Sequence, residues 1–229
     1  MTFPAAAARV PLAPACPRPW YERSRPPHLG EVAYERCKRA IDLSVAALLL
    51  PPVLLVLLTC VVAIKVDSPG AAWFAQERTG RGGRRFRMFK LRTMVHNAHE
   101  LKTRYMHLNE HSYPDFKITN DPRLTRCGRI LRKLSLDELP QLFNVLRGDM
   151  TLVGPRPTSF GADTYRLWQT VRLEVTPGLT GLWQVSGRDL DFDDRLRLDV
   201  AYIRNRCLSL DLRILLRTLS AVISTRGAH

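Results

Sequence analysis

Two adjacent carboxylates, Asp137 and Glu138, follow the basic pair Arg132-Lys133 and open an apolar run at Leu139, Leu142, Phe143 and Leu146. That spacing predicts a helix. Ser135, with Glu138 three residues later, has the form of a capping box. Asp137 is therefore expected at or near a helix N-terminus, where unsatisfied N–H groups and the dipole favour negative charge. A carboxylate held there stays ionised and suits the role of nucleophile or metal ligand. Pro140 leaves the helix start open. With Ser135 as cap it is the fifth helical residue and costs one backbone bond; with Asp137 as cap it falls in the first turn. The plainer alternative is that Ser135, Asp137 and Glu138 only cap the backbone.

Cationic side chains stand at defined places around this pair. Asp121 is expected to cap a helix that begins near Leu124 and delivers Arg132 beside the carboxylates. Leu124, Cys127, Ile130, Leu131 and Leu134 form its apolar face. In Gly154-Pro155-Arg156-Pro157, prolines on both sides of Arg156 fix the backbone, which suits a phosphate clamp or simply a rigid loop. Arg188 is a second phosphate candidate, after Gly181–Gly187 in a loop or short strand. Trp183 there fits either a stacking platform or the core. His96, His99, His107 and His111 recur at helical spacings without a His-Glu-x-x-His arrangement, and read as a solvated helix face.

These residues need a scaffold. A chain of 229 residues can bury one core with appendages. Its net charge of +14 points to an anionic partner: nucleic acid, an acidic membrane surface or a phosphorylated substrate. Five scattered cysteines without a Cys-x-x-Cys pair fit a reducing compartment. Residues 1–30, rich in Pro, Ala and Arg, read as a disordered arm rather than a signal peptide. Leu43–Ile64 is 22 residues without a charge, long enough to enter a membrane. Pro51-Pro52 in its middle are expected to break or kink it. Positive charge flanks both ends, which asks for both on the cytoplasmic side. A re-entrant helix satisfies both observations; a kinked spanning helix is the alternative. Residues 72–91 read as a hairpin around a Gly-rich basic turn, and Thr151-Leu152-Val153 as a short strand. Asp193–Arg206 and Leu208–Ser224 read as helices. The second carries Leu208, Leu212, Leu215, Leu219 and Val222 on one stripe, for a core or a membrane interface.

Taken in order, these pieces resemble the bacterial sugar transferases, the monotopic polyprenyl-phosphate phosphoglycosyl transferases. The resemblance runs from about Lys38 to the C-terminus. It rests on the proline-interrupted apolar segment, Phe89-Lys90-Leu91-Arg92-Thr93-Met94, Arg132 through Gln141, Gly148-Asp149-Met150, Gly154-Pro155-Arg156-Pro157 and Pro177 through Arg188. Pro51-Pro52 stands where many members have Ser-Pro. The length resembles the catalytic-core form, and the exopolysaccharide-initiating members most.

The resemblance implies an α+β, mostly helical fold: an arm (1–30), a membrane-inserted re-entrant helix (31–66) and a cytosolic catalytic domain with interfacial helices (67–229). It implies transfer of sugar 1-phosphate from a UDP-sugar to undecaprenyl phosphate with release of UMP, the sugar being galactose or glucose. Asp137 would be the nucleophile, and Glu138 would hold Mg²⁺ with it or assist the second step. Lys90, Arg132, Arg156 and Arg188 would bind the phosphates. The implied setting is the inner membrane, catalytic head toward the cytoplasm, in contact with membrane lipids and without nucleic acid; a homodimer stays open. The competing readings are a basic nucleic-acid-binding protein, a membrane scaffold without catalysis, and a hydrolase that passes the phosphosugar to water.

Overall fold

The computed structural model describes residues 30–110, 116, 118–187 and 190–223. It is mostly helical with two small sheets, as the α+β expectation has it. The expected arm, Arg188 and His111 lie outside the described residues.

Helix α1 (Glu31–Asp67) runs through Pro51 and Pro52 without a break. The sequence reading had the prolines break or kink it; the break is absent. They leave the carbonyls one turn back without donors, but both sit on an exposed stretch, and the turns on either side are held by packing at Ala46 and Leu57. By length and composition α1 is able to cross a membrane. Its buried residues, Tyr34, Asp42, Ala46, Leu57, Cys60 and Ile64, share one narrow stripe at helical spacing. Leu48, Leu55 and Leu58 are 76, 69 and 63% exposed. So long a bare apolar face is unusual for a surface in water.

Both ends of α1 are tied to the same head. Arg39 donates to the carbonyls of Val145 (2.6 Å) and Leu146 (3.0 Å), the last turn of α4 (Gln141–Arg147). Lys38 pairs with Asp211 at 2.7 Å. At the other end Asp67 accepts from the Cys127 amide at 3.0 Å, at the start of α3 (Arg126–Lys133).

The predicted hairpin is present: β1 (Trp73–Thr79) pairs antiparallel with β2 (Arg85–Leu91). Next comes the short α2 (Leu101–Arg104); residues 96–100 are turns rather than the expected helix, so His96 and His99 share no helical face. Strand β3 (Thr151–Val153) pairs parallel with β4 (Gly178–Thr180). Leu182–Ser186 is a helix, α5, where a loop or short strand was expected. Helices α6 (Phe192–Asn205) and α7 (Leu208–Ile223) close the chain.

One core joins Ala46 of α1 to Met88, Val145, Met150, Val153, Leu182, Tyr202, Leu210 and Ile214. A second joins Leu57, Cys60 and Ile64 to Leu91 and Leu131. Helix α7 packs through Leu210 and Ile214, which leaves Leu212 and Leu219 of the predicted stripe more than half exposed. The helix is apolar on more than one face, and the pattern alone does not say which face the core takes.

Candidate active site

The carboxylate pair lies on a 3-10 turn, Leu136–Glu138, and not in a capped α-helix. Ser135 adopts the left-handed conformation (φ 56°), and its side chain caps nothing. Pro140 precedes the first residue of α4, where its missing N–H costs no bond. The turn is held by packing: Leu136 and Leu139, on either side of the pair, pack against the cluster that contains Leu57, Cys60 and Ile64 of α1. Asp137 and Glu138 are thus built directly onto the apolar helix.

Helix α4 fixes the pair against β2. Asn144 is fully buried. It accepts from the Phe89 amide (3.0 Å) and donates to the Arg87 carbonyl (2.8 Å), matching the edge of the strand as a backbone would. This brings Lys90 of β2 to Glu138, Nζ to Oε1 at 2.9 Å. Arg156 bonds both oxygens of the same carboxylate, one at 3.2 Å and the other closer. Burial alone would raise the Glu138 carboxyl, but Arg156 and Lys90 overcome it and hold it far below the usual carboxylate range.

Asp137 is in the opposite condition. It is 8% exposed, and no hydrogen bond or ion pair holds its carboxylate among the described residues. Burial pushes its pKa up, against Lys90, which pulls it down; Glu138 adds to the rise. The expectation of a carboxylate stabilised by a helix N-terminus is corrected here: Asp137 is desolvated, and the nearby cations limit the rise without reversing it.

The other cations are positioned in turn. Arg132 donates from Nε to Thr93 Oγ1 at 3.0 Å. Its helix starts at a Thr125 cap, whose hydroxyl accepts from the Gly128 amide at 2.9 Å. Asp121, the expected cap, pairs instead with Arg123 at 2.6 Å. In that helix Leu131 is buried, while Ile130 and Leu134 are 60 and 43% exposed.

Several elements hold the Arg156 loop. Gly154 donates to the Thr180 carbonyl of β4 (2.9 Å), Thr79 of β1 donates to the Thr158 carbonyl (2.9 Å), and Arg172 donates to the Arg156 carbonyl (2.6 Å). Arg172 is paired with Asp199 of α6 at 2.8 Å, both almost completely buried. Burial pushes the Asp199 carboxyl up to about 6 in spite of Arg172. Trp183 is half-buried rather than a core residue, with the Arg195 guanidinium 5.4 Å from its ring centroid.

The structure therefore gathers Asp137, Glu138, Lys90, Arg132 and Arg156. Sequence reasoning missed Asn144, Arg172 and Asp199. Asn144 had a faint signal, a polar residue in the apolar run Leu142–Leu146; Arg172 and Asp199, set among other charged residues, had none.

The described residues contain no cluster of three or more His, Cys, Asp or Glu side chains suited to a metal. Asp137 is the uncommitted oxygen donor, and both Glu138 oxygens are engaged by cations. One carboxylate fits Mg²⁺, which commonly takes one or two carboxylates and completes its shell with substrate phosphates and water.

The model of the family described as bacterial sugar transferase matches residues 33–225. The chain is 39% identical over 203 residues to the exopolysaccharide production protein ExoY of Rhizobium meliloti, covering 84% of this chain and 88% of that one. It is 42% identical over 213 residues to the UDP-glucose:undecaprenyl-phosphate glucose-1-phosphate transferase of Caulobacter vibrioides, covering 88% of this chain and 75% of that one. It is 45% identical over 166 residues to the undecaprenyl-phosphate galactose phosphotransferase of Salmonella typhimurium, covering 70% of this chain and 35% of that one. The chain spans less than half the length of several curated relatives it matches. With most of its length matched and its carboxylate turn set among lysine and arginine side chains, the chain belongs to the bacterial sugar transferase family.

Proposed function

We propose that the protein transfers sugar 1-phosphate from a UDP-sugar to undecaprenyl phosphate, releasing UMP, as an initiating step of exopolysaccharide or related glycan assembly. The observation that carries this reading is the position of Asp137. It is a buried carboxylate without a bonded partner among the described residues, set among cations and next to Leu136, which packs on the apolar helix. A soluble anionic donor and a lipid acceptor can both reach such a place.

In the first half-reaction an Asp137 oxygen attacks the sugar-bearing phosphorus. The bond from that phosphorus to the bridging oxygen breaks, its electron pair leaves with UMP, and a phosphosugar–aspartyl intermediate remains. In the second, an oxygen of the lipid phosphate attacks the same phosphorus, and the Asp137 carboxylate is released. Lys90, Arg132 and Arg156 offset the repulsion between carboxylate and diphosphate. Arg188 would add to them. Glu138 keeps Lys90 and Arg156 in place while the site is empty. Mg²⁺ bound at Asp137 would supply further charge neutralisation at the phosphates. Glu138 would join it only by releasing Lys90 or Arg156.

We further propose that α1 is re-entrant and seats the head on the cytoplasmic face of the inner membrane. Supporting this, both ends of α1 are bonded to one head while its middle is apolar and exposed. Labelling of cysteines placed at residues 36 and 66 in intact cells and in inverted vesicles tests it: both positions should react from the same side.

The activity is tested by UMP release from full-length protein in detergent. The protein is given Mg²⁺ and a panel of UDP-sugars, with and without undecaprenyl phosphate, and Asp137→Ala is the control. Lipid-dependent UMP from one or two sugars, absent in Asp137→Ala, is the expected result. UMP formed equally without lipid would make the protein a hydrolase.

A further inference from the structure

A further cation belongs to the site. Arg78 of β1 stands on the hairpin face that carries Lys90: the register pairs Phe74 with Lys90, Gln76 with Met88 and Arg78 with Phe86, and directly opposed residues share a face. Its guanidinium donates to Gln76 Oε1 at 2.6 Å and, at 3.4 Å, to the carbonyl of Pro157, next to Arg156. Both acceptors are neutral. Arg78 makes no ion pair among the described residues, and its Nε is buried without a partner. Burial, and then the neighbouring Arg156, draw it down to about 10, so it remains a cation at neutral pH. A desolvated cation beside another cation, with no carboxylate of its own, is costly unless an anion arrives.

The charges are sorted across the site. Those acting most strongly on Asp137 are Lys90, Glu138, Arg132 and Arg156. Those acting on Arg78 are Arg156, Glu138 and Arg85, with Tyr165. Arg132 is anchored on Thr93, and Arg78 on the Pro157 carbonyl beside Arg156.

We propose that Arg78 binds the phosphate of the donor that departs with the nucleotide. This rests on the transferase reading above. When Asp137 attacks one phosphorus, the leaving oxygen lies roughly in line on the opposite side. The electron pair of the broken P–O bond settles on that oxygen and raises the charge of the departing phosphate. A fixed guanidinium there stabilises it without a proton transfer. The charge of Arg78, which has no ion-pair partner among the described residues, is the counterpart of that developing anion.

The experiment uses full-length protein in detergent, UMP as probe, and Arg78→Gln and Arg78→Lys beside the parent. Loss of one charge-assisted contact should weaken UMP binding roughly tenfold or more in Arg78→Gln, with a comparable fall in kcat/KM for the donor. Arg78→Lys should recover part of both. Without ligand, Arg78→Gln should lose no more stability than its hydrogen bonds to Gln76 and Pro157 supply, because no counter-charge is left behind. Undiminished UMP affinity in Arg78→Gln, in a parent that turns over donor, overturns the Arg78 assignment alone. A parent that neither turns over any UDP-sugar nor binds UMP overturns both this assignment and the transferase reading.

Discussion

Asp137 and Glu138 are consecutive in the chain, yet only Glu138 is bonded to the surrounding cations, accepting from Lys90 at 2.9 Å and from Arg156 through both oxygens. The two carboxylates should therefore respond differently to neutralisation. Asp137→Asn should abolish UMP release and leave the melting temperature unchanged or higher, because a desolvated charge is removed and no bond is lost. Glu138→Gln should lower stability by about 1–3 kcal/mol by weakening charge-assisted bonds at a partly exposed site. Thermal melts of both proteins beside UMP release check the pair.

The pH dependence of the first half-reaction should follow Asp137. The nucleophile must be ionised, and burial raises its pKa, so the acid limb should lie above the ordinary aspartate value of about 3.9. Lys90 pulls that pKa down. Lys90→Met should therefore shift the acid limb to higher pH, in addition to slowing the reaction. A pre-steady-state UMP burst measured across pH tests this.

Asp199 should make the fold less stable as pH rises. Its carboxyl is held at about 6, above the ordinary aspartate value, so between those values the folded state binds more protons than the unfolded one. Its contribution is complete in acid, is lost as pH rises through that window, and is constant above it. Asp199→Asn should remove this slope from the stability–pH curve. At pH 7 it should also destabilise the protein by about 3–5 kcal/mol, because Arg172 is left buried without its partner. As Arg172 donates to the Arg156 carbonyl, kcat should fall as well.

Gly128 is where α3 meets Thr93, whose hydroxyl holds Arg132. A Cβ at this position would overlap the Thr93 carbonyl, which is backbone and has little freedom to move. Gly128→Ala should cost about 1–3 kcal/mol by overpacking and should move Thr93 away from Arg132. Denaturant melts should show the loss, and donor KM should rise with it.

The local pattern determined the hairpin at 72–91, the strand at 151–153, both C-terminal helices and the apolar length of α1; it singled out Asp137, Glu138, Arg132 and Arg156, while Lys90 came from the family resemblance. Alternation, helical period and uncharged length are carried by neighbouring residues, and they survive into the fold because local propensity and core burial agree there. Where two patterns competed, the chain alone misled. Ser135 and Glu138 had the spacing of a capping box, but packing of Leu136 and Leu139 on α1 sets a 3-10 turn instead. The tandem prolines suggested a broken or kinked helix, and α1 continues through them.

Charge state was decided by tertiary structure alone. Two neighbouring carboxylates, alike in sequence, differ because Lys90 and Arg156 arrive from positions 48 and 18 residues away and choose Glu138. Asn144, Arg172 and Asp199 gain their roles in the same way, from partners on other elements. Desolvation and pairing depend on what the fold brings within a few ångströms, and no spacing within the chain encodes that.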